Sequence, residues 1–163
     1  MEQELQGKLD PRIKTVWRIS DAIWIVVLFL VVFAIDAIVW LSSEEGGLAG
    51  VLFFASVIAF VGLLALFLFA VTPLRYARWR FRLQQDFLEI EKGIIWRTHT
   101  VVPFIRVQNT DTKQGPILRM FGLASVTVST AAGSMEIPGL AQSEADAVRD
   151  RAAELARIAR EDV

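Results

Sequence analysis

From Ile23 to Leu41, and again from Leu48 to Thr72, the chain is apolar with hardly an interruption, and only Ser42-Ser43-Glu44-Glu45-Gly46-Gly47 separates the two runs. A bilayer core about 30 Å thick takes about 20 apolar residues in helix to cross, and in lipid every backbone donor must be paired within the segment. Both runs are long enough. The hexapeptide carries two carboxylates and a Gly-Gly pair, so it reads as a tight aqueous turn. Residues 22–73 are therefore expected to form a transmembrane helical hairpin, with spans at about 23–41 and 48–72. A cleaved signal peptide is the competing reading of the first run. Its apolar stretch is too long for that, and no small-residue cleavage site follows it.

From Leu74 the texture changes to period-two alternation, which marks a second domain over residues 74–163. Ala77, Trp79, Phe81 and Leu83 alternate with Arg78, Arg80 and Arg82, giving a strand with one core face and one basic face. A second strand, Phe87 to Glu91, sets Leu88 and Ile90 out of phase with Glu89 and Glu91. Lys92-Gly93 then turns the chain into a strand from Ile94 to Val102. Pro103 interrupts, Ile105 to Asn109 reads as a short strand, and Gln114-Gly115-Pro116 breaks the chain again. Leu123 to Thr130 and Met135 to Ile137 complete the set, joined through Ala131-Ala132-Gly133. The last element is a helix that Ser143 can cap, with Ala145, Val148, Ala152, Leu155 and Ile158 as its apolar stripe. Antiparallel strands followed by one amphipathic helix make a small α+β domain, the helix closing one end of a curled sheet.

Residues 1–21 form a third segment. Residues 1–9 are polar and expected to fray. Asp10-Pro11 is a helix start, and Ile13, Val16 and Trp17 recur beyond it at helical spacing among Arg12, Lys14 and Arg18. A helix lying in the headgroup layer and a cytoplasmic extension of the first span fit this pattern equally well.

Composition sharpens the membrane reading. Of 163 residues 54% are hydrophobic, and the mean hydropathy of +0.46 is too apolar for an ordinary soluble domain. The net charge of -1 gives no global reason to expect nucleic acid. Charge is instead segregated. Lys8, Arg12, Lys14 and Arg18 precede the first span, Arg75, Arg78, Arg80 and Arg82 follow the second, and the turn between has no base. Bases are retained on the cytoplasmic side, so both termini are expected there. Trp17 and Trp24 at one level and Trp40 at the other suit the aromatic belts.

Several residues invite a functional reading. Asp36 is the ionisable residue within the first span; its position near the outer interface favours a snorkelling carboxylate over a proton or ion site, because no second intramembrane charge partners it. Ala55, Ala59 and Gly62 share one face of the second span, where small residues allow close packing on the first span or on another subunit. Arg75, Arg78, Arg80 and Arg82 have two readings of equal weight. They are a contact for anionic lipid or a partner, or, on the strand, a ladder facing Glu89 and Glu91. Pro116, Leu118, Met120 and Phe121 read as an apolar plug folded against the sheet. The chain has no cysteine and a single histidine, His99, so neither a thiolate site nor a metal or acid-base constellation is expected, and no cofactor or catalytic residue emerges.

The chain resembles the bacterial pleckstrin-homology (PH)-like membrane proteins of the YdbS-like family. The resemblance runs through Leu9-Asp10-Pro11-Arg12 with Trp17-Arg18, the two spans, Tyr76 to Arg82, and Ile90-Glu91-Lys92-Gly93-Ile94. It continues through Val102-Pro103-Phe104-Ile105-Arg106-Val107-Gln108, Gln114-Gly115-Pro116 with Arg119 and Phe121-Gly122-Leu123, and Ile137-Pro138-Gly139-Leu140. It implies a seven-strand bent sheet capped by a C-terminal helix, a bacterial cell-membrane location, and an association with envelope protection. It supplies no catalytic residue and transfers no phosphoinositide site. The expected function is thus non-catalytic: a membrane-anchored PH-like adaptor or scaffold at the inner leaflet, assembling with itself or a larger PH-like membrane homologue. The alternative is recognition of anionic phospholipid headgroups by the basic face. An enzyme or transporter component fits less well, since two spans without an intramembrane charge pair make a poor pathway.

Overall fold

The computed structural model describes residues 5–42 and 46–161. Its first compact unit is the hairpin, residues 17–73. Helix α1 runs over Ile13–Ser42 and α2 over Gly46–Leu66; a π-helical segment, Phe67–Val71, leads into α3, Thr72–Ala77. Residues 13–42 and 47–77 form two helices long and apolar enough to cross a membrane. Aromatic rings join them: Phe29 lies 4.2 Å from Phe60, and Phe33 lies 5.5 Å from Phe53, centroid to centroid. Ala55, Ala59 and Gly62 are exposed on α2, and a Cβ added at Gly62 would touch nothing within 4 Å. The small-residue face therefore does not make the seam between the helices, which the phenylalanines fill. Asp36 is half-exposed on α1, with its Oδ2 buried and unpartnered among the described residues. Ser43, Glu44 and Glu45, the middle of the expected aqueous turn, lie outside the described residues.

The π-helical segment has a local cause. The Thr72 N–H donates to the Phe67 carbonyl one residue beyond the α-helical partner, and the Thr72 hydroxyl donates to the same oxygen at 2.8 Å. In that register the next donor would be residue 73, serving Leu68, but Pro73 has no N–H. Arg18 supplies the missing donor, its Nε lying 3.1 Å from the Leu68 oxygen. A base that reads in the sequence as an ordinary membrane flank thus satisfies a backbone group at the end of the second span.

The second unit comprises the chain up to Val16 and from Leu74 onward. Strands β1 (Leu5–Gly7), β2 (Arg80–Leu83), β3 (Phe87–Lys92) and β4 (Thr98–Pro103) form an antiparallel sheet in that order. A 3-10 turn, Phe104–Arg106, leads to a second antiparallel sheet of β5 (Val107–Lys113), β6 (Leu123–Thr130) and β7 (Gly133–Ala141). The short helix α4 (Pro116–Met120) lies before β6, and α5 (Gln142–Glu161) closes the chain. Leu88, Phe104, Leu123, Val126, Val128, Ile137 and Leu140 are fully buried. Helix α5 turns Ala145, Val148, Ala152, Leu155 and Ala156 into this core; Ile158, expected on the stripe, is 39% exposed. This is the α+β architecture of sheets and capping helix that the alternation and the resemblance imply.

Three expectations are corrected. The N-terminal segment is not a separate piece over residues 1–21. Its described part up to Val16 belongs to the second unit: β1 pairs with β2, and Leu9 and Ile13 are buried. The Asp10 N–H donates to the Gly139 carbonyl at 2.9 Å, Tyr76 donates its hydroxyl to the Leu9 carbonyl at 2.9 Å, and Arg12 reaches the Phe121 carbonyl at 3.0 Å. Arg12 also grips both oxygens of Asp10, and that hydrogen bonding holds the carboxyl below the usual carboxylate range. Second, β2 begins at Arg80 and β4 at Thr98, because α3 continues through Ala77 and residues 93–97 form a loop. Third, Pro116, Leu118, Met120 and Phe121 are not a buried plug. Gly115 is the N-cap and Pro116 opens a helix of a single turn, which spreads these side chains around its axis. Leu118 and Phe121 are half-buried, Pro116 is exposed, and Met120 is 79% exposed.

Candidate functional site

The basic residues after the second span divide into two structural roles. On β2 the buried Phe81 and Leu83 alternate with exposed Arg80 and Arg82, so the expected basic face forms. Register places Arg82 opposite Glu89, which faces Val101 on β4, and Arg80 opposite Glu91, which faces His99. Arg82 lies 3.9 Å from Glu89, and His99 reaches the other oxygen of the same carboxylate at 3.9 Å. Arg82 therefore belongs to a cross-strand ladder. Arg80 makes no ion pair among the described residues despite facing Glu91 across the register. Arg78 is not on the strand. It stands in the turn after α3 and donates to the Ile94 carbonyl at 3.3 Å. Arg75 is exposed on α3 and does not line the concavity described next.

Arg78 and Arg80 share a concavity of about 490 Å³ with Ala77, Glu91, Lys92, Gly93, Arg97, Thr98 and His99. Lys92 and Arg97 come from the two ends of the β3–β4 connection, which folds back at Gly93. Gly93 has φ +118°, and a Cβ there would run into the Trp96 carbonyl, so this turn requires glycine. Two arginines from the α3–β2 side and a lysine and an arginine from the β3–β4 side thus face one space whose lining includes a single carboxylate, that of Glu91. The volume is that of a small-molecule site. Guanidinium groups are forks matched to phosphate oxygens, and a lysine adds a point charge. The arrangement can hold an anionic oxygen group. Lys92, Arg97 and Thr98 escaped the sequence reading because Ile94 to Val102 looked like continuous strand. The signal that could have found them is the Lys-Gly pair closing a hairpin whose far side resumes with Arg97.

The chain matches known proteins over most of its length. A family model described as Bacterial PH domain matches residues 18–156. The UPF0699 transmembrane protein YdbS of Bacillus subtilis is 32% identical over 167 residues, which cover 100% of each chain. The UPF0699 transmembrane protein YdbT of the same organism is 23% identical over 94 residues, 55% of this chain and 19% of that protein. No solved structure gives a significant match.

Proposed function

Because the chain belongs to the bacterial PH-domain family, matched over both the hairpin and the PH-like domain, we propose that it is a non-catalytic module anchored in the cell membrane whose basic concavity holds anionic phospholipid headgroups. The observation that carries this reading is the convergence of Arg78, Arg80, Lys92 and Arg97 on one space, with Arg80, Lys92 and Arg97 free of ion pairs among the described residues. Each base near an acidic leaflet contributes about 1 kcal/mol. The positive flanks of both spans support a cytoplasmic side for the termini and the domain, where an acidic leaflet would meet the concavity. Purification of the full chain in mild detergent, followed by native mass analysis, tests the reading. Retained acidic phospholipid, lost in an Arg80→Glu/Arg97→Glu variant, is the expected result; no preference for acidic over zwitterionic lipid refutes it.

A second reading, an adaptor that assembles with itself or a larger relative, rests on the outward face of α2. Ala55, Ala59 and Gly62 are exposed there and suit close helix packing. The similarity of part of this chain to the longer YdbT gives a larger protein carrying a related segment. In the same mass analysis that reading predicts a protein complex that disperses when Ala59 and Gly62 are replaced by leucine.

A further inference from the structure

Residues Ile95 and Trp96 are consecutive, apolar, and 84% and 85% exposed. They sit in the β3–β4 loop between Lys92 and Arg97, both of which line the basic concavity. The loop is held in shape: Gly93 adopts its left-handed turn against the Trp96 carbonyl, and Arg78 donates to the carbonyl of Ile94. We infer that this loop is a membrane-inserting tip, with Ile95 and Trp96 entering the bilayer interface while the flanking bases meet headgroup phosphates.

Three observations favour a lipid surface as the occupant. A neighbouring isoleucine and tryptophan displayed to solvent carry a hydration cost that a folded loop removes only by covering them. Tryptophan beside cations suits the headgroup layer, where its ring is buried and its N–H stays hydrated. The chain also supplies the surface. Ala77, which lines the concavity, is the last residue of α3, and Thr72, the first, closes the apolar run. The loop is thereby tethered to the bilayer it would enter. The inference deepens the headgroup reading and rests on it for the charge of the surface, but insertion and headgroup selectivity are separately measurable.

The chain has no native cysteine, so single nitroxide labels can be placed at Ile95→Cys and Trp96→Cys, with Ala132→Cys in the exposed β6–β7 turn as the aqueous reference. The full chain is reconstituted in nanodiscs of phosphatidylcholine with or without phosphatidylglycerol, and collision with oxygen and with a water-soluble nickel complex is measured. Insertion predicts that oxygen dominates at positions 95 and 96, with nickel accessibility several-fold below that at 132. If the labels insert equally in pure phosphatidylcholine, insertion stands and the headgroup reading loses its support. Nickel accessibility at 95 and 96 equal to that at 132 overturns the inference. So does exclusion of both collision partners from the two labels, which means that protein rather than lipid covers the loop.

Discussion

Replacing Gly139 by alanine tests whether the N-terminal segment is built into the PH-like domain. Gly139 has φ +64°, and a Cβ there would run into the Ile13 side chain, approaching its Cβ to 2.7 Å and its outer atoms more closely still. The left-handed backbone costs a non-glycine residue about 1–2 kcal/mol, and overpacking adds about 1–3 kcal/mol. Gly139→Ala should therefore lose about 2–5 kcal/mol. Ile13 is 1% exposed, so Ile13→Ala alone should lose about 2–5 kcal/mol through the cavity it leaves. Combined, the two changes interfere. Truncating Ile13 removes its outer atoms and leaves only its Cβ close to the new methyl, so the double variant should lose about 1–2 kcal/mol less than the sum. For a chain of this size that shortfall is about 2–8 °C in midpoint, readable by thermal unfolding of the full chain in detergent. Strictly additive losses, or a harmless Gly139→Ala, would refute the docking of residues 9–16 on the domain. The same geometry means that a fragment starting at Leu74 lacks β1, Leu9 and Ile13.

Arg18→Leu leaves the Leu68 carbonyl without its donor and should cost about 1–3 kcal/mol; Pro73→Ala, which restores a backbone N–H, should recover part of it, and an unchanged melting midpoint in the single variant would contradict the pairing. Arg82→Glu should cost about 0.2–1 kcal/mol, as expected for an exposed pair, and Glu89→Arg should restore it, whereas Arg80→Ala, which breaks no ion pair among the described residues, should leave stability nearly unchanged in the same unfolding assay. Met120→Ala should be neutral, while Phe121→Ala, half-buried, should lose about 1–2 kcal/mol; a loss of several kcal/mol at both positions would restore the buried plug. Arg12 holds Asp10 below its ordinary value of 3.8, so its contribution is fully present above that pH and is lost as pH falls through the lower folded value. Asp10→Asn should narrow its stability gap to the parent in acid, and a gap constant from neutral pH into acid would count against the Asp10–Arg12 grip.

The parts of the fold that were legible are those written as local periodicity. Two apolar runs gave the hairpin, and the alternation of Arg80 and Arg82 with Phe81 and Leu83 gave β2 and its opposition to Glu89 and Glu91. The stripe of α5 was legible except at its end, where Ala156 rather than Ile158 faces inward. What stayed hidden depends on contacts distant in sequence. Nothing local marks Leu5–Gly7 as a strand, since it exists by pairing with β2, and Ile13 is core only because Gly139 leaves room for it. The site was half legible. Arg78 and Arg80 stood out as bases beside a span, but Lys92 and Arg97 join them only once Gly93 folds the connection back. The alternation that identifies strands also drew β4 too early, across Ile94 to Arg97.

Selection of anionic headgroups by the basic concavity can be measured on the protein itself. The most direct measurement is calorimetric titration of the full chain, in a zwitterionic detergent, with short-chain phosphatidylglycerol and with short-chain phosphatidylcholine. Two bases worth about 1 kcal/mol each correspond to about thirtyfold in affinity. Headgroup selection predicts saturable, salt-sensitive binding of phosphatidylglycerol alone, weakened by at least about thirtyfold in the folded Arg80→Glu/Arg97→Glu variant. Equal affinity for the two lipids, or phosphatidylglycerol binding indifferent to that double reversal, would contradict it.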